Sequence, residues 1–502
     1  MPYAYGHSAT EITPASAEGN RKLAGVATPA EMVEKYRLGG LILVGFSADD
    51  PTKTSQPTTN VDNPAQIRSL TAGLQAAAAR LPAGRDGAPL LIGTDQEYGT
   101  VTRIREGITA LPSAMAAGAA RQPALTEQAW RVAGAELAAL GINLDFAPVA
   151  DVLGARSAVI GSRSYGSDPT AVAEQVAAAV RGLESAGVAA TLKHFPGHGH
   201  TVADSHSELP VLTQDTAALA ARDLPPFEAG IAAGASAVMS GHLDVRALDP
   251  GIPATFSRTV LVDLLRHRLG FDGVVVTDAM NMAPARRWSA GEAAVRAINA
   301  GNDLILMPPD VAGAYHGLLA GLRDGTLSRD RLVDAATRVL TLKYRLADRV
   351  APPPSVIGSA AHREAVERLA AAAITQFRGA CGQAIRGPIT VTASAGREHT
   401  RRALIEELQA RGARVVARGG TTVHLVGYGD TADDLSDDAA VTVAMDTPHV
   451  LAASTSPTLL ATYSSSRASM RALAAVLTGH ATAPGRAPVP VPGLPASSCA
   501  DT

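Results

Sequence analysis

The sequence predicts a (β/α)₈ barrel followed by a smaller three-layer α/β sandwich domain. Three observations predict this fold. Short apolar runs alternate with alanine-rich helical segments, several of these runs end in a polar residue, and a second α/β series begins after Tyr344. Alternating strands and helices form parallel sheets, and barrels of this kind carry functional groups at the carboxyl ends of their strands. A length of 502 residues also exceeds one ordinary core.

Seven apolar runs in the first part of the chain are predicted as barrel strands. In chain order they are Gly40–Gly45, Pro89–Asp95, Asn143–Val149, Val188–Lys193, Ala237–His242, Gly273–Asp278 and Asp303–Pro308. A closed barrel needs eight strands. Because Met1–Thr28 offers only Tyr3–Tyr5 as a strand remnant, the first strand is either irregular or missing. We expect an apolar strand encoded upstream of Met1, whose restoration would raise the melting temperature.

The second domain is predicted from a change of pattern after the barrel. The boundaries are 1–348 for the barrel, 349–387 for a linker with a connecting helix, and 388–502 for the sandwich. Its predicted elements are the strands Pro388–Thr392, Arg414–Ala417, Val423–Tyr428, Ala439–Met445 and Val450–Ser454 and the helix Glu398–Arg411. Gly427-Tyr428-Gly429 predicts a plain turn rather than a phosphate-binding loop. The proline-rich segment Pro484–Pro495 predicts a mobile tail.

Composition excludes several classes of partner. Lys and Arg number 44 and Asp and Glu 47, so the formal charge of −3 gives no electrostatic case for nucleic acid or an anionic membrane. No apolar run reaches the ~18 residues of a spanning helix, and Met1–Asn20 lacks the features of a signal peptide. As written, the protein is expected to be cytoplasmic, or extracellular if its start is truncated. Cys381 and Cys499 are expected to be a buried and an exposed free thiol.

The segment Lys193–His206 crowds four of the 13 histidines, a lysine and an aspartate into a turn-rich stretch after an apolar strand. Its prolines and glycines turn the backbone and place Asp204 and His206 on a loop beside the strand end. A carboxylate on one ring nitrogen fixes the tautomer of a histidine and raises its basicity. The pair is therefore predicted to act as an acid/base dyad, and an Asp-turn that stabilises the loop is the alternative.

Asp278 closes the buried run Gly273–Thr277 and predicts a carboxylate at the catalytic face. Such a group can serve as a nucleophile, a metal ligand or a helix cap. Retaining glycosidases need a nucleophilic carboxylate and a proton donor that later becomes the base, and Asp278 and His206 suit these roles. Further residues at strand ends or in loops are placed to bind sugar hydroxyls, namely Asp95, Arg163, Lys193 and His194.

A resemblance to a known family rests on the motif Lys-His-Phe-Pro-Gly-His-Gly, four intervening residues, and Asp-Ser-His. This motif resembles the signature of β-N-acetylglucosaminidases in glycoside hydrolase family 3. Further matches occur in the same order, at Asp95-Gln96-Glu97, Asn143–Val149, Arg163–Gly166 with Asp168-Pro169, and Thr277–Met280. The resemblance covers roughly residues 28–347. The sequence departs from the family in two places. It has Tyr98-Gly99 where the family has two glycines, and this difference is expected to narrow or re-line the loop near Asp95. The family's first strand is also missing before His7.

The resemblance implies a retaining hydrolase that releases terminal β-linked N-acetylglucosamine from small carbohydrates such as cell-wall or chitin fragments. It implies that Asp278 is the nucleophile, His206 the acid/base and Asp204 its partner, with no metal and no cofactor. The residues implied to bind the sugar are Asp95, Arg103, Arg163, Lys193 and His194.

Three alternatives stay open at this point. His198-Gly199-His200 has the spacing of a metal-binding pair and suggests a metal-dependent barrel hydrolase. A decayed site would leave a non-catalytic sugar-binding protein, although Asp278, Asp204 and His206 are all present. Phosphorolysis on the same site is open as well, because a neutral histidine repels phosphate less than a carboxylate does.

Overall fold

The computed structural model describes residues 1–45, 60–81, 87–154, 156–157 and 159–499. The strands of the first domain are β1 Gly40–Leu43, β2 Leu91–Thr94, β3 Leu144–Asp145, β4 Ala189–Phe195, β5 Val211–Leu212, β6 Ala237–Ser240, β7 Asp244–Val245 and β8 Val274–Thr277. Six of them form a parallel sheet in the order β1-β2-β3-β4-β6-β8, while β5 pairs with β7. The predicted barrel is confirmed, and the run at Asp303–Pro308 joins β8 through a single parallel bridge between Val276 and Leu304.

The beginning of the chain lies in the gap between β1 and the Asp303–Pro308 segment. The N–H of Ile42 donates to Pro2 O at 3.0 Å, and the N–H of Met307 donates to Met1 O at 3.0 Å. Met1 also packs into the barrel interior, among side chains such as Ile42, Phe146 and Leu306. The expectation of a missing strand is corrected here: Met1 and Pro2 hydrogen-bond to both neighbouring segments, so the first element of the barrel is present but irregular.

Helices surround the barrel as the alanine-rich pattern predicts. They are Pro14–Ala24, Pro29–Tyr36, Pro64–Ala79, Ala114–Ala120, Pro123–Ala139, Pro169–Ser185, Thr216–Ala218, Pro225–Ala232, Ala290–Ala300, Val311–Asp324 and Arg329–Ala347, with π-helical turns at Leu219–Asp223 and Thr259–Arg268. Thr13, Asn63 and Asp168 cap helices that begin with proline, because their side chains accept backbone N–H groups of the first turn. Across the described ranges, no helix is long and apolar enough to cross a bilayer.

The second domain is a five-stranded sheet with helices on one face. Its strands are β9 Thr375–Arg378, β10 Ile389–Ala393, β11 Thr421–Val426, β12 Val441–Ala444 and β13 Thr458–Ala461, in the order β10-β11-β12-β13-β9, and its helices are Ala360–Ala373, Glu398–Ala410 and Arg467–Leu477. Leu404 and Leu473 of the helices pack against Val423 and Leu460 of the sheet. The opposite face, with Leu459, joins the core of the barrel domain. The sheet therefore lies between the barrel and the helices Glu398–Ala410 and Arg467–Leu477, while the helix Ala360–Ala373 packs against both domains.

Two predicted strands of this domain are wrong. Arg414–Ala417 makes only one bridge, between Val415 and Ile389, because two glycines follow it and the next strand begins at Thr421. The region Val450–Ser454 falls in a 3₁₀ helix, Pro448–Ala453, which Pro448 starts. The strand expected there is β13, a few residues later.

The C-terminal tail is packed through Cys499, so the prediction of a mobile tail is wrong for the described part. Pro488 O accepts the N–H of Ser167 at 3.0 Å, and Ser498 donates its N–H to Gln376 O at 2.7 Å. Cys499 forms a disulfide with Cys381. The expectation of two free thiols is therefore also wrong. The tail is held because its backbone groups find partners in both domains.

Candidate active site

A cavity of about 180 Å³ lies at the carboxyl ends of the barrel strands. The structure brings together in its wall nearly all of the predicted site residues, namely Asp95, Arg103, Arg163, Lys193, His194, His206 and Asp278. Asp204 lies behind His206 and does not line the cavity. Met239, Met282 and Met307 supply an apolar part of the wall. The cavity thus combines charged groups with an apolar surface, as sites for sugars require.

Asp278 follows β8 directly, and 9% of its surface is exposed. Its Oδ1 accepts the N–H of Ala279 at 2.7 Å. Burial is the largest influence on the pKa of Asp278 and raises it, but His242, His194 and the Ala279 N–H together outweigh burial and lower it. The carboxylate is therefore ionised at neutral pH, which a nucleophile requires.

His206 and Asp204 form the predicted pair on the loop after β4. Nδ1 of His206 lies 2.7 Å from Asp204 Oδ1, and the same oxygen accepts the backbone N–H of His206 at 2.9 Å. The hydrogen bond with His206 lowers the pKa of Asp204. The backbone and ring contacts coexist, so the Asp-turn and the dyad are both present. Because Asp204 holds Nδ1, the Nε2 atom is the one left to exchange protons in the cavity.

A buried ion cluster holds the cations of the cavity. Its central residue is Glu97, to which the sequence analysis assigned no role. Glu97 accepts Arg163 Nε at 2.7 Å and Arg163 Nη2 at 2.9 Å, and it lies 2.6 Å from Lys193 Nζ. Lys193 also contacts Asp95 at 2.8 Å, and Arg103 lies 3.5 Å from Asp95. Burial raises the pKa of Glu97, but Arg163 and Lys193 outweigh it and lower the pKa to about 2. Glu97 therefore fixes the positions of two predicted sugar-binding side chains.

Asp151 is a second residue whose role the sequence did not reveal. Its Oδ2 lies 2.8 Å from His194 Nδ1, and its Oδ1 accepts the N–H groups of His194 at 3.1 Å and His198 at 2.7 Å. Burial raises the pKa of Asp151, but the contact with His194 outweighs it and lowers the pKa to about 2. The ionised Asp151 thus orients the His194 ring toward the cavity.

The two histidines proposed as a metal pair have separate partners. His198 Nε2 lies 3.2 Å from Ser205 Oγ, and His200 Nδ1 lies 2.9 Å from Asp223 Oδ1. In the part of the chain that the structure describes, no group of three or more ligating side chains is arranged around them. His198 instead ties the loop of His206 to the barrel through Ser205.

Tyr98 does not re-line the loop near Asp95 as the sequence led us to expect. Its ring is 2% exposed and packs edge-on against Trp130, with centroids 5.9 Å apart. Its backbone adopts a φ of 65°, in the left-handed region that few residues other than glycine occupy. Tyr98 therefore packs inside the barrel domain and does not line the cavity.

Comparison with known proteins identifies the family of this chain. Residues 21–342 match the glycosyl hydrolase family 3 N-terminal domain. The chain is 36% identical over 379 residues to beta-hexosaminidase A of Pseudoalteromonas piscicida. The aligned region covers 70% of this chain and 61% of that protein. It is 41% identical over 301 residues to a beta-hexosaminidase of Stenotrophomonas maltophilia, covering 55% of this chain and 87% of that protein. The match thus spans less than two thirds of the first relative.

A solved structure is similar over almost the whole chain. It is a family 3 beta-N-acetylglucosaminidase from Paenibacillus sp., with a TM-score of 0.84, 32% identity, and coverage of 98% of this chain and 97% of that chain. The matched residues include Asp95, Asp278 and the loop that carries Asp204 and His206. On the family match to well over half of its length, this chain belongs to glycosyl hydrolase family 3.

Proposed function

We propose that this protein is a retaining glycoside hydrolase that removes terminal β-linked N-acetylglucosamine from small carbohydrates. One observation carries the proposal: an ionised carboxylate at a strand end and a histidine held by a second carboxylate share one cavity. The family match and the hexosaminidase relatives support the same activity.

The first chemical step forms a covalent glycosyl-enzyme. Asp278 attacks the anomeric carbon while His206 donates its Nε2 proton to the glycosidic oxygen, and the leaving sugar departs as an alcohol. Asp204 stabilises the imidazolium that donates this proton. In the second step, neutral His206 takes a proton from water, the water attacks the anomeric carbon, and the bond to Asp278 breaks. Two inversions at the same carbon retain the β configuration.

The ion cluster around Glu97 binds the sugar before this chemistry begins. Lys193 and Arg163 present N–H groups in fixed positions, and Asp95 presents a carboxylate oxygen that accepts hydroxyl groups. Since the cluster is already formed, little side-chain entropy is lost on binding. The methionines contact the apolar face of the ring.

Substitution of Asp278 tests the proposal most directly. We expect Asp278→Asn to remain folded and to lose at least about 10³-fold in kcat on a β-N-acetylglucosaminide, because the covalent step needs the ionised oxygen. Proton NMR of the first product should show the β anomer. Near-normal turnover in a folded Asp278→Asn variant, or an α product, would contradict the mechanism. Equal turnover with and without phosphate would indicate hydrolysis, whereas turnover that requires phosphate would indicate phosphorolysis.

Substitution of His206 tests the role of the acid separately. General acid catalysis is worth ~10²–10⁴-fold, so His206→Ala should lose most on substrates with poor leaving groups and least on activated aryl glycosides. Asp204→Ala should show the same pattern, and the double variant should be far from additive because the pair acts as a unit. Equal losses on both substrate classes would indicate a binding role for His206.

A further inference from the structure

A second and larger cavity, of about 440 Å³, lies at the boundary between the two domains. On the barrel side it is lined by Leu153, Arg156 and Ser157, which follow β3. On the side of the second domain it is lined by residues 427–432 and by parts of residues 446–453. The turn Gly427-Tyr428-Gly429 therefore forms part of its wall, and Asp430 closes that turn by donating its N–H to Gly427 O at 3.1 Å.

This boundary cavity is a neighbour of the catalytic cavity. The segment after β3 lines both of them, since Val159 and Arg163 belong to the catalytic wall. Ser162, next to Arg163, donates its hydroxyl to Asp446 of the second domain. Tyr428, which lines the boundary cavity, lies within electrostatic range of Arg163 and of Asp204.

The position of the acid gives the direction in which the leaving sugar lies. A general acid protonates the glycosidic oxygen, so His206 must stand on the leaving-group side of the bond that breaks. Asp204 is on that same loop, and Tyr428 is the residue of the boundary cavity close to it. The leaving sugar is therefore directed from His206 toward Tyr428.

The charges in the boundary cavity are unequally satisfied. Asp430 accepts the N–H of Gly427 and the hydroxyl of Ser394, and Asp446 accepts the hydroxyl of Ser162. Both carboxylates are thus used within the protein. In contrast, Arg156 is exposed and has no ion pair or hydrogen bond with any described residue. Among the same residues, His449 has no partner for its buried Nδ1.

We propose that the boundary cavity binds the leaving sugar and selects one that bears a carboxylate. Arg156 pairs with the carboxylate, and Tyr428 contacts the ring between the two cavities. The inference rests on the proposed function and deepens it, because it names the class of leaving group. A neutral leaving sugar fits the same space but leaves Arg156 without a counter-ion.

Three disaccharides test this inference. The first is N-acetylglucosaminyl-β-1,4-N-acetylmuramic acid, the second is its lactyl methyl ester, and the third is N,N′-diacetylchitobiose. They share the bond that breaks and differ in the charge of the leaving sugar. The readout is the ratio of kcat/KM for the acid to kcat/KM for the ester. We expect wild type to prefer the acid and Arg156→Gln to lower the ratio about three- to tenfold, the range of a partly exposed ion pair.

Arg329→Gln is the matched control, since Arg329 is an exposed arginine that lines neither cavity. It should keep the wild-type ratio. Raising the salt concentration should reduce the preference of wild type but not that of Arg156→Gln, because salt screens an exposed pair. Tyr428→Ala should lower kcat/KM on both the acid and chitobiose more than on an aryl glycoside.

The outcomes separate the inference from the function on which it rests. If wild type cleaves neither the disaccharides nor an aryl β-N-acetylglucosaminide, the proposed function fails. If it cleaves them without preference for the acid, or if Arg156→Gln keeps the wild-type ratio, only the inference is overturned.

Discussion

Glu97→Gln removes the charge at the centre of the buried ion cluster while keeping the shape of the side chain. The side chains of Glu97, Arg163 and Lys193 are 4%, 5% and 3% exposed. In the variant, Arg163 loses a bidentate carboxylate partner, and Lys193 keeps only Asp95 at 2.8 Å. The NH₂ of the substituted amide is itself a hydrogen-bond donor, and it would face the donor groups of Arg163 and Lys193 with no acceptor opposite it.

The size of the effect follows from these contacts. Removing one partner of a buried ion pair costs about 3–5 kcal/mol, because the remaining charge stays buried. The lowered pKa of Glu97, about 2 against an ordinary 4.5, corresponds to about 3 kcal/mol in favour of the ionised form. We therefore expect Glu97→Gln to reduce the free energy of unfolding by about 3 kcal/mol at pH 7. We also expect a fall in kcat/KM of about 10- to 100-fold, since misplaced binding groups are costly.

Urea unfolding followed by tryptophan fluorescence measures this stability, because Trp130 and Trp288 both lie in the barrel domain. Glu127→Gln is the matched control. Glu127 also binds two arginines, Arg131 at 2.9 Å and Arg181 at 2.8 Å, but its side chain is 27% exposed. Its loss should cost less than about 1 kcal/mol.

The pH dependence has a definite sign. Because the folded pKa of Glu97 is depressed, its contribution is complete above about 4.5 and is lost as the pH falls toward about 2. The difference in free energy of unfolding between wild type and Glu97→Gln should therefore become smaller as the pH falls from about 4.5 to about 2. Equal losses in Glu97→Gln and Glu127→Gln at pH 7, or a gap independent of pH, would refute this account.

Two further predictions concern contacts outside the ion cluster. Ser205→Ala removes the 3.2 Å contact with His198 that tethers the loop of His206, so activity on poor leaving groups should fall more than on aryl glycosides. Ser205→Thr keeps a hydroxyl group and should restore activity on poor leaving groups. An equal loss of activity on both classes of substrate would contradict the role of the contact between Ser205 and His198. The disulfide joins cysteines 118 positions apart, so Cys381→Ser should lower the free energy of unfolding by roughly 2–5 kcal/mol. A reductant should lower the free energy of unfolding of wild type to that of Cys381→Ser. If the reductant leaves the stability of wild type unchanged, that result would count against the disulfide.

The barrel and the residues that line its cavity were predictable because both leave local signals in the sequence. Buried parallel strands read as continuous apolar runs, and a polar residue directly after such a run lies at the catalytic face. Asp278 and Lys193 were located in this way. The pair Asp204 and His206 was also predictable, since its two members are two residues apart and form a local turn.

The supporting residues were not predictable, because their roles arise only when distant segments meet. Glu97 and Arg163 are separated by 66 positions, and Asp151 and His194 by 43. No local spacing distinguishes such carboxylates from ordinary capping or surface residues. The disulfide was missed for the same reason, since neither Cys381 nor Cys499 belongs to a motif. The sequence left open whether the first strand is irregular or missing, because its position depends on three main-chain hydrogen bonds rather than on an apolar pattern.

The charges of the catalytic cavity are balanced within its own wall, and this balance bears on what the cavity can hold. Among the described residues of the catalytic wall, Arg103, Arg163 and Lys193 stand against Asp95, Glu97 and Asp278. This balance suits a neutral sugar and leaves Asp278 ionised without a cation bonded to its reactive oxygen. The three cations are held by carboxylates of the same wall, at 2.6 to 3.5 Å, so their positions are set before a substrate enters.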